Sequence, residues 1–274
     1  MGESLQAALR SCLDASDPAA KIGLVNELAL GLQSGKILIA GQSSTAAPGA
    51  DPIRAPGRPL LPKLVAPRDL PQRGLGSEDG RAALLHAVTH IEFNAINLAL
   101  DAAYRFRGMP DQFYRDWASV AVDEARHFSL LADRLAELGS GYGAFEAHNG
   151  LWEMAERTAH SCLARMALVP RVLEARGLDV TPGMIVRLRS LGDQRSADIL
   201  EIILAEEVRH VAIGSHWFAW CCARDGLAPE PTFIDLIRGV AKGSIRGPFN
   251  LPARTAAGFA DSEMALIAAL AKAG

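Results

Sequence analysis

Two five-residue segments far apart in the chain repeat one pattern. Asp123-Glu124-Ala125-Arg126-His127 and Glu206-Glu207-Val208-Arg209-His210 each read as an acid, a glutamate, any residue, an arginine and a histidine. Glu and His three apart on a helix lie on one face, about 60° and about 4.5 Å apart, so both side chains reach one point. The one-turn neighbours of the first pair are Trp117, Val120, Ala121, Phe128 and Leu131; those of the second are Leu200, Ile203, Leu204, Val211, Gly214 and Trp217. Both pairs are therefore expected on the buried faces of helices. An ionised carboxylate is costly to bury unless it is paired, protonated or bound to a metal. Two such faces on two helices point to a shared pair of divalent metal ions.

Capping and breaker signals divide the chain around these motifs. Leu5, Leu9 and Leu13 share a helical face, Ser16-Asp17-Pro18 interrupts it, and a second helix runs from about Ala19 to Leu32. Between Gly35 and Gly76 the prolines Pro48, Pro52, Pro56, Pro59, Pro62, Pro67 and Pro71 exclude a long helix and indicate an extended strap. Four long helical patterns follow: Glu78 to Phe106, Asp111 to Leu138, Leu151 to Arg176 and a fourth, preceded by Gly192-Asp193, to about Arg224. Pro170 is expected to kink the third or open one of its hydrogen bonds, and Gly177 to end it. Thr181-Pro182 is expected to open a short connecting helix. Short helices near Thr232–Val240 and Ser262–Ala271 close the chain. The expected architecture is all-α, a four-helix bundle over residues 77–226, with N-terminal helices and a Pro-rich strap packed on it over 1–76 and short C-terminal helices over 227–274.

The other two long helices should supply further carboxylates. Glu92 lies in the interior of the first helix, on a face with Leu85, Val88, Ala95, Ile96 and Ala99. On the third, Glu174 competes with Glu153 and Glu156, which lie in the first turns where acids favour the helix dipole and solvent. The expected ligand set is Glu92, Glu124, His127, Glu174, Glu207 and His210. Four carboxylates and two imidazoles suit iron or manganese better than copper or zinc–thiolate chemistry. Asp123 and Glu206 can act behind the ligands by accepting a hydrogen from the opposite helix's histidine. Arg126 and Arg209 either neutralise those acids or are ordinary exposed charges. His86 and His90 lie off the ligand face and are expected to meet a neighbouring segment such as the strap; His160 is expected at the core or its boundary.

The bulk properties narrow the partners. The 274 residues carry a net charge of −3, with no broad basic surface for nucleic acid or anionic lipid. Arg54, Arg58, Lys63, Arg68 and Arg73 read as solvation of the strap. Cys12, Cys162, Cys221 and Cys222 lack Cys-x-x-Cys spacing. No apolar run approaches the roughly 20 residues of a membrane span, and the N-terminus lacks a signal-peptide core. Gln6 breaks the myristoylation signature that Gly2 begins. A soluble, cytoplasmic protein is expected.

On these motifs the sequence resembles the ferritin-like di-iron carboxylate superfamily. The acid-Glu-x-Arg-His repeat looks like the paired motif of bacterial multicomponent monooxygenases, with Glu206 standing where that motif has Asp. His90-Ile91-Glu92, Arg105-Phe106-Arg107-Gly108-Met109-Pro110, Leu173-Glu174-Ala175-Arg176-Gly177 and Trp217-Phe218 are similar to an uncharacterised bacterial ferritin-like family, domain of unknown function 455. The resemblance extends into the strap and the Pro248-Phe249-Asn250 loop. The Glu174-Ala175-Arg176 run is also similar to a tRNA hydroxylase that oxidises isopentenyl-adenosine.

The resemblance implies a ferritin-like four-helix bundle and two iron ions, with manganese or a mixed pair as alternatives. The implied activity is that of a di-iron oxidase or monooxygenase that activates oxygen and hydroxylates an organic substrate. The alternative is a non-catalytic protein that uses the metals structurally. The substrate, a small molecule or a modified RNA base, is not named by these residues. A separate electron-donor protein and a homodimer stay open, and no membrane partner is expected. The absence of Cys-x-x-Cys weighs against a rubrerythrin-like peroxide reductase. Tyr104, Tyr114 and Tyr142 stand off the ligand turns, which weighs against a stored tyrosyl radical.

Overall fold

The computed structural model describes residues 3–39, 53–240 and 245–273; Pro48 and Pro52 of the expected strap lie outside the described residues. The fold is predominantly helical, and no described helix is long and apolar enough to cross a membrane. By packing, the chain falls into two compact units, Met1–Glu156 and Arg157–Gly274, so the segment expected to form one bundle is shared between them.

The first unit opens with a two-residue strand β1 (Glu3–Ser4), then α1 (Leu5–Asp14) and α2 (Pro18–Ser34), then β2 (Ile37–Leu38), which pairs in parallel with β1. Ser4 and Asp17 cap the two helices, accepting from the Ala7 and Ala20 amides, and Pro18 fills a first-turn position that needs no N–H. The orphan carbonyls at the end of α1 are met by a buried cation. Lys21 Nζ donates to Cys12 O at 2.7 Å and to Leu13 O at 3.3 Å, and burial lowers its pKa to about 8.

Helices α3 (Glu78–Arg105) and α4 (Asp111–Glu137) pack on each other and form the heart of this unit. Ser77 caps α3, and Glu78 and Asp79 complement its N-terminal dipole. From Glu92 to Tyr104 every residue of α3 is buried, as expected of a helix surrounded by protein. The described part of the strap, residues 53–76, holds no α-helix, and only Pro67–Asp69 makes a single 3-10 turn. Its backbone is pinned instead: Gly57 N donates to Leu13 O, Val65 N to Ala147 O, and Trp152 Nε1 to Arg54 O.

The third long helix is interrupted where a continuous run from Leu151 to Arg176 was expected. The structure has α5 (Gly150–Arg157), a break, α6 (Cys162–Leu168), a π-helical segment Val169–Glu174, and α7 (Ala175–Ser190). The restart follows from Ser161, whose hydroxyl accepts from the Ala164 amide, and from Thr158, whose hydroxyl accepts from buried Arg165. Pro170 sits at the second position of the π segment, so the missing N–H widens the turn without ending the helix.

Gly177 does not terminate the run, and Thr181-Pro182 does not start a separate helix. Gly177 keeps a negative φ inside α7, whose buried stripe Ala175, Leu178, Ile185 and Leu188 has helical spacing. Pro182 cannot donate to the Leu178 carbonyl four residues back. Asn250 Nδ2 does so in its place, at 3.1 Å, so the carbonyl that an internal proline orphans is satisfied.

The second unit continues with α8 (Gln194–Asp225), capped by Asp193 and stopped by Gly226 at φ 68°, then α9 (Pro229–Val240), α10 (Leu251–Ala256) and α11 (Asp261–Ala273). Helices α7 and α8 form its main pair. Two buried arginines fasten the C-terminal helices. Arg171 Nη2 donates to both oxygens of Glu263, at 2.8 and 2.7 Å, and its guanidinium lies against Phe218, Phe233 and Phe259. Arg254 donates to Asp179 at 3.0 and 2.7 Å.

Candidate metal centre

Helices α3 and α4 bring three of the expected ligands together. Glu92, Glu124 and His127 are buried, and each offers a ligand atom within 4.8 Å of the others. His127 Nδ1 donates to Glu92 Oε2 at 3.2 Å and lies 3.4 Å from Glu124 Oε2. The i, i+3 spacing on α4 puts Glu124 under His127, and the close packing of α3 on α4 supplies Glu92 from the side.

Two carboxylates around one imidazole set the electrostatics. Burial pulls the imidazolium toward deprotonation, but Glu124 and Glu92 together outweigh it and hold the His127 pKa up at about 11. The cluster thus favours a cation at the imidazole nitrogen. A divalent metal ion supplies more positive charge than the proton it displaces there. The trio can hold a metal ion.

In the second unit, His210 is fully buried on α8 and its Nδ1 lies 3.2 Å from Glu207 Oε1, with Glu207 12 % exposed. Glu174 is the last residue of the π segment and is half-buried, while its competitors Glu153 and Glu156 are exposed. Asp123 is half-buried and 4.0 Å from exposed Arg126; Glu206 is half-buried and Arg209 exposed.

As expected, His86 and His90 meet a neighbouring segment, the connection after α4. Gly143 N donates to His86 Nε2 at 2.9 Å; His90 shares hydrogen bonds with the Tyr142 hydroxyl at 2.9 Å and the His148 carbonyl at 3.2 Å. Tyr142 packs edge-on to Phe128 and tilted on Phe93, the residues next to His127 and Glu92. No local pattern announces this cluster, because its partners are about fifty residues apart. His160 is exposed, in the break before α6, and not at the core.

Comparison with known proteins matches residues 14–265 to the family described as "Protein of unknown function (DUF455)". The chain is also 44% identical over 264 residues to an uncharacterized protein of Haemophilus influenzae (strain ATCC 51907 / DSM 11121 / KW20 / Rd), covering 93% of this chain and 91% of that one. No solved structure matches. A match over nearly the whole length, with a relative this similar, makes the chain a member of the DUF455 family.

Proposed function

We propose that this chain is a ferritin-like dimetal carboxylate protein that binds two iron ions, or manganese in their place, and acts as an oxygen-dependent oxidoreductase on an organic substrate. The observation that carries this reading is the buried trio of Glu92, Glu124 and His127, with two carboxylates directed at one imidazole nitrogen. Glu207 and His210 repeat its chemistry on α8, and Glu174 completes the set of four carboxylates and two imidazoles expected of such a pair.

A bound iron pair would supply oxygen activation, which protein side chains alone do not perform. The chain's own residues supply the rest. Glu92, Glu124, Glu174 and Glu207 provide negative charge against the cations, and His127 and His210 provide one ring nitrogen each. Phe93 and Phe128, the chain neighbours of Glu92 and His127, pack on each other.

Metal content per chain tests the proposal. Elemental analysis of protein produced with iron supplementation should find about two iron or manganese ions per chain, and near-complete loss in a Glu124→Ala, Glu207→Ala variant. Anaerobically reduced protein should then consume oxygen faster than free ferrous iron. Absence of metal in the wild type overturns the whole reading. Bound iron inert to oxygen, with a melting temperature that falls on chelation, instead favours a structural role for the metals.

A further inference from the structure

A cavity of about 270 Å³ opens in the first unit, apart from the candidate metal centre. The turn 70–75, the first half of α3 and the segment 145–151 enclose it. Its walls are largely apolar, with Leu70, Leu75, Leu84, Ile91 and Phe145 among them, and Ile91 is 45 % exposed at its edge. The wall at Gly80 is backbone only: a Cβ there would stand 1.9 Å from the Gly74 carbonyl oxygen, so that turn closes without a side chain.

The polar groups on this lining are few and mostly donors. Arg73 lies with its guanidinium 4.9 Å over the Phe145 ring, and its Nε is 3.3 Å from Asp79, whose side chain is 69% exposed. Such an exposed contact is weak and leaves the terminal guanidinium nitrogens to a ligand. His148 accepts the Gly150 amide at Nδ1, 3.1 Å away, so its neutral ring carries the hydrogen on Nε2. Among the described residues nothing takes that hydrogen. The one carboxylate on the lining, Glu146, is 3.1 Å from Lys63. His90 is committed to Tyr142 and to the His148 carbonyl. The lining therefore offers an apolar body with one guanidinium and one imidazole N–H, the usual composition of a small-molecule site.

We propose that this cavity binds a small amphipathic carboxylate, its acid group held by Arg73 with His148 as second donor and its apolar body lying against Leu84, Ile91 and Phe145. The charge selects the acid over neutral isosteres, and the walls select an unsaturated or branched hydrocarbon over a polar one. Binding needs no metal, so it stands or falls independently of the dimetal reading.

Calorimetric titration of the full chain with 2-naphthoate, and with 2-naphthamide as its neutral isostere, tests this. Naphthoate should bind about once per chain, at least about tenfold more tightly than the amide, the margin of one charge-assisted hydrogen bond. Arg73→Gln should weaken naphthoate by a similar factor and leave the amide unchanged, which a merely structural arginine would not do. Ala87→Trp, at an exposed lining position on α3, should block both ligands. Circular dichroism establishes that each variant is folded; should Ala87→Trp fail to fold, the Arg73→Gln comparison decides alone. No naphthoate binding at up to about 10 mM, beyond the range of specific small-ligand affinities, overturns the proposal. Equal affinity for acid and amide, or an Arg73→Gln variant that binds naphthoate normally, overturns it as well.

Discussion

The two units bury charge in different ways. In the second, two buried arginines each meet one carboxylate face to face: Arg171 with Glu263, Arg254 with Asp179, both pairs joined by two hydrogen bonds. Charge cancels one to one, and the aromatic rings stacked on Arg171 seal it from water. In the first unit, Glu92 and Glu124 converge on a single nitrogen of His127. That cluster carries more acid than base even when the imidazole is protonated. Both arrangements are fully interior, so burial alone does not distinguish a fastening from a binding site. The arrangement does: two carboxylates converging on one imidazole nitrogen can take a metal ion in place of its proton, whereas a closed arginine–carboxylate pair cannot.

The largest effect should come from breaking a closed pair. Glu263→Ala leaves Arg171 buried without its carboxylate and should cost about 3–5 kcal/mol of stability in denaturant unfolding, equally with and without metal. A loss below about 1 kcal/mol would place this pair with the weakly contributing surface pairs. The trio should behave in the opposite sense. Ferrous or manganous ion held at about 100 times its dissociation constant should stabilise the wild type by about 2.7 kcal/mol, and Glu124→Ala should abolish that increment. If Glu124→Ala were stabilised as much as wild type, the excess acid would have another purpose.

A smaller effect is expected at Gly214 on α8. A Cβ there would stand 2.3 Å from the Pro170 ring, which has little freedom to yield. Gly214→Ala should therefore cost about 1–3 kcal/mol. The most pH-dependent effect belongs to His86. Burial depresses its pKa from 6.5 to about 4, so the folded state binds fewer protons there than the unfolded chain. Its contribution to stability is complete above about pH 6.5 and is lost as the pH falls toward about 4. The stability difference between wild type and His86→Gln should narrow over that window, measured by unfolding at a series of pH values. A difference that stays constant from neutral to acid pH would mean that His86 does not titrate differently on folding.

The boundaries of α3, α4 and α8 were readable from the chain alone because their signals are local. Ser77, Pro110 and Asp193 precede the helices, and Gly226 follows the last of them. The burial of Glu92, Glu124 and His127 was readable for a similar reason: an acid among apolar residues at helical spacing has few other places to go. The α5–α7 region was not. Whether Pro182 ends a helix depends on Asn250, nearly seventy residues on, and no window around the proline contains that information. The Arg171–Glu263 pair has no local signal either, because its partners are 92 residues apart. The contacts of His86 and His90 lie more than fifty residues away. Signals within one turn could be read; those that depend on a distant partner could not.

The π segment Val169–Glu174 has an implication for how this chain can change over time. A π turn amounts to one residue inserted into an α-helical repeat, and each residue of an α-helix advances the azimuth by about 100°. The faces of α6 and α7 are therefore out of phase by that amount, and the direction of Glu174 depends on the extra residue as much as on its own identity. A descendant that lost one residue anywhere between Val169 and Leu173 would still read as helical on either side of the deletion. Its glutamate would nonetheless turn about a quarter of the way round the axis. A deletion that passes unnoticed as sequence would be the quickest way to redirect this carboxylate, and a compensating acid one position along would be its signature.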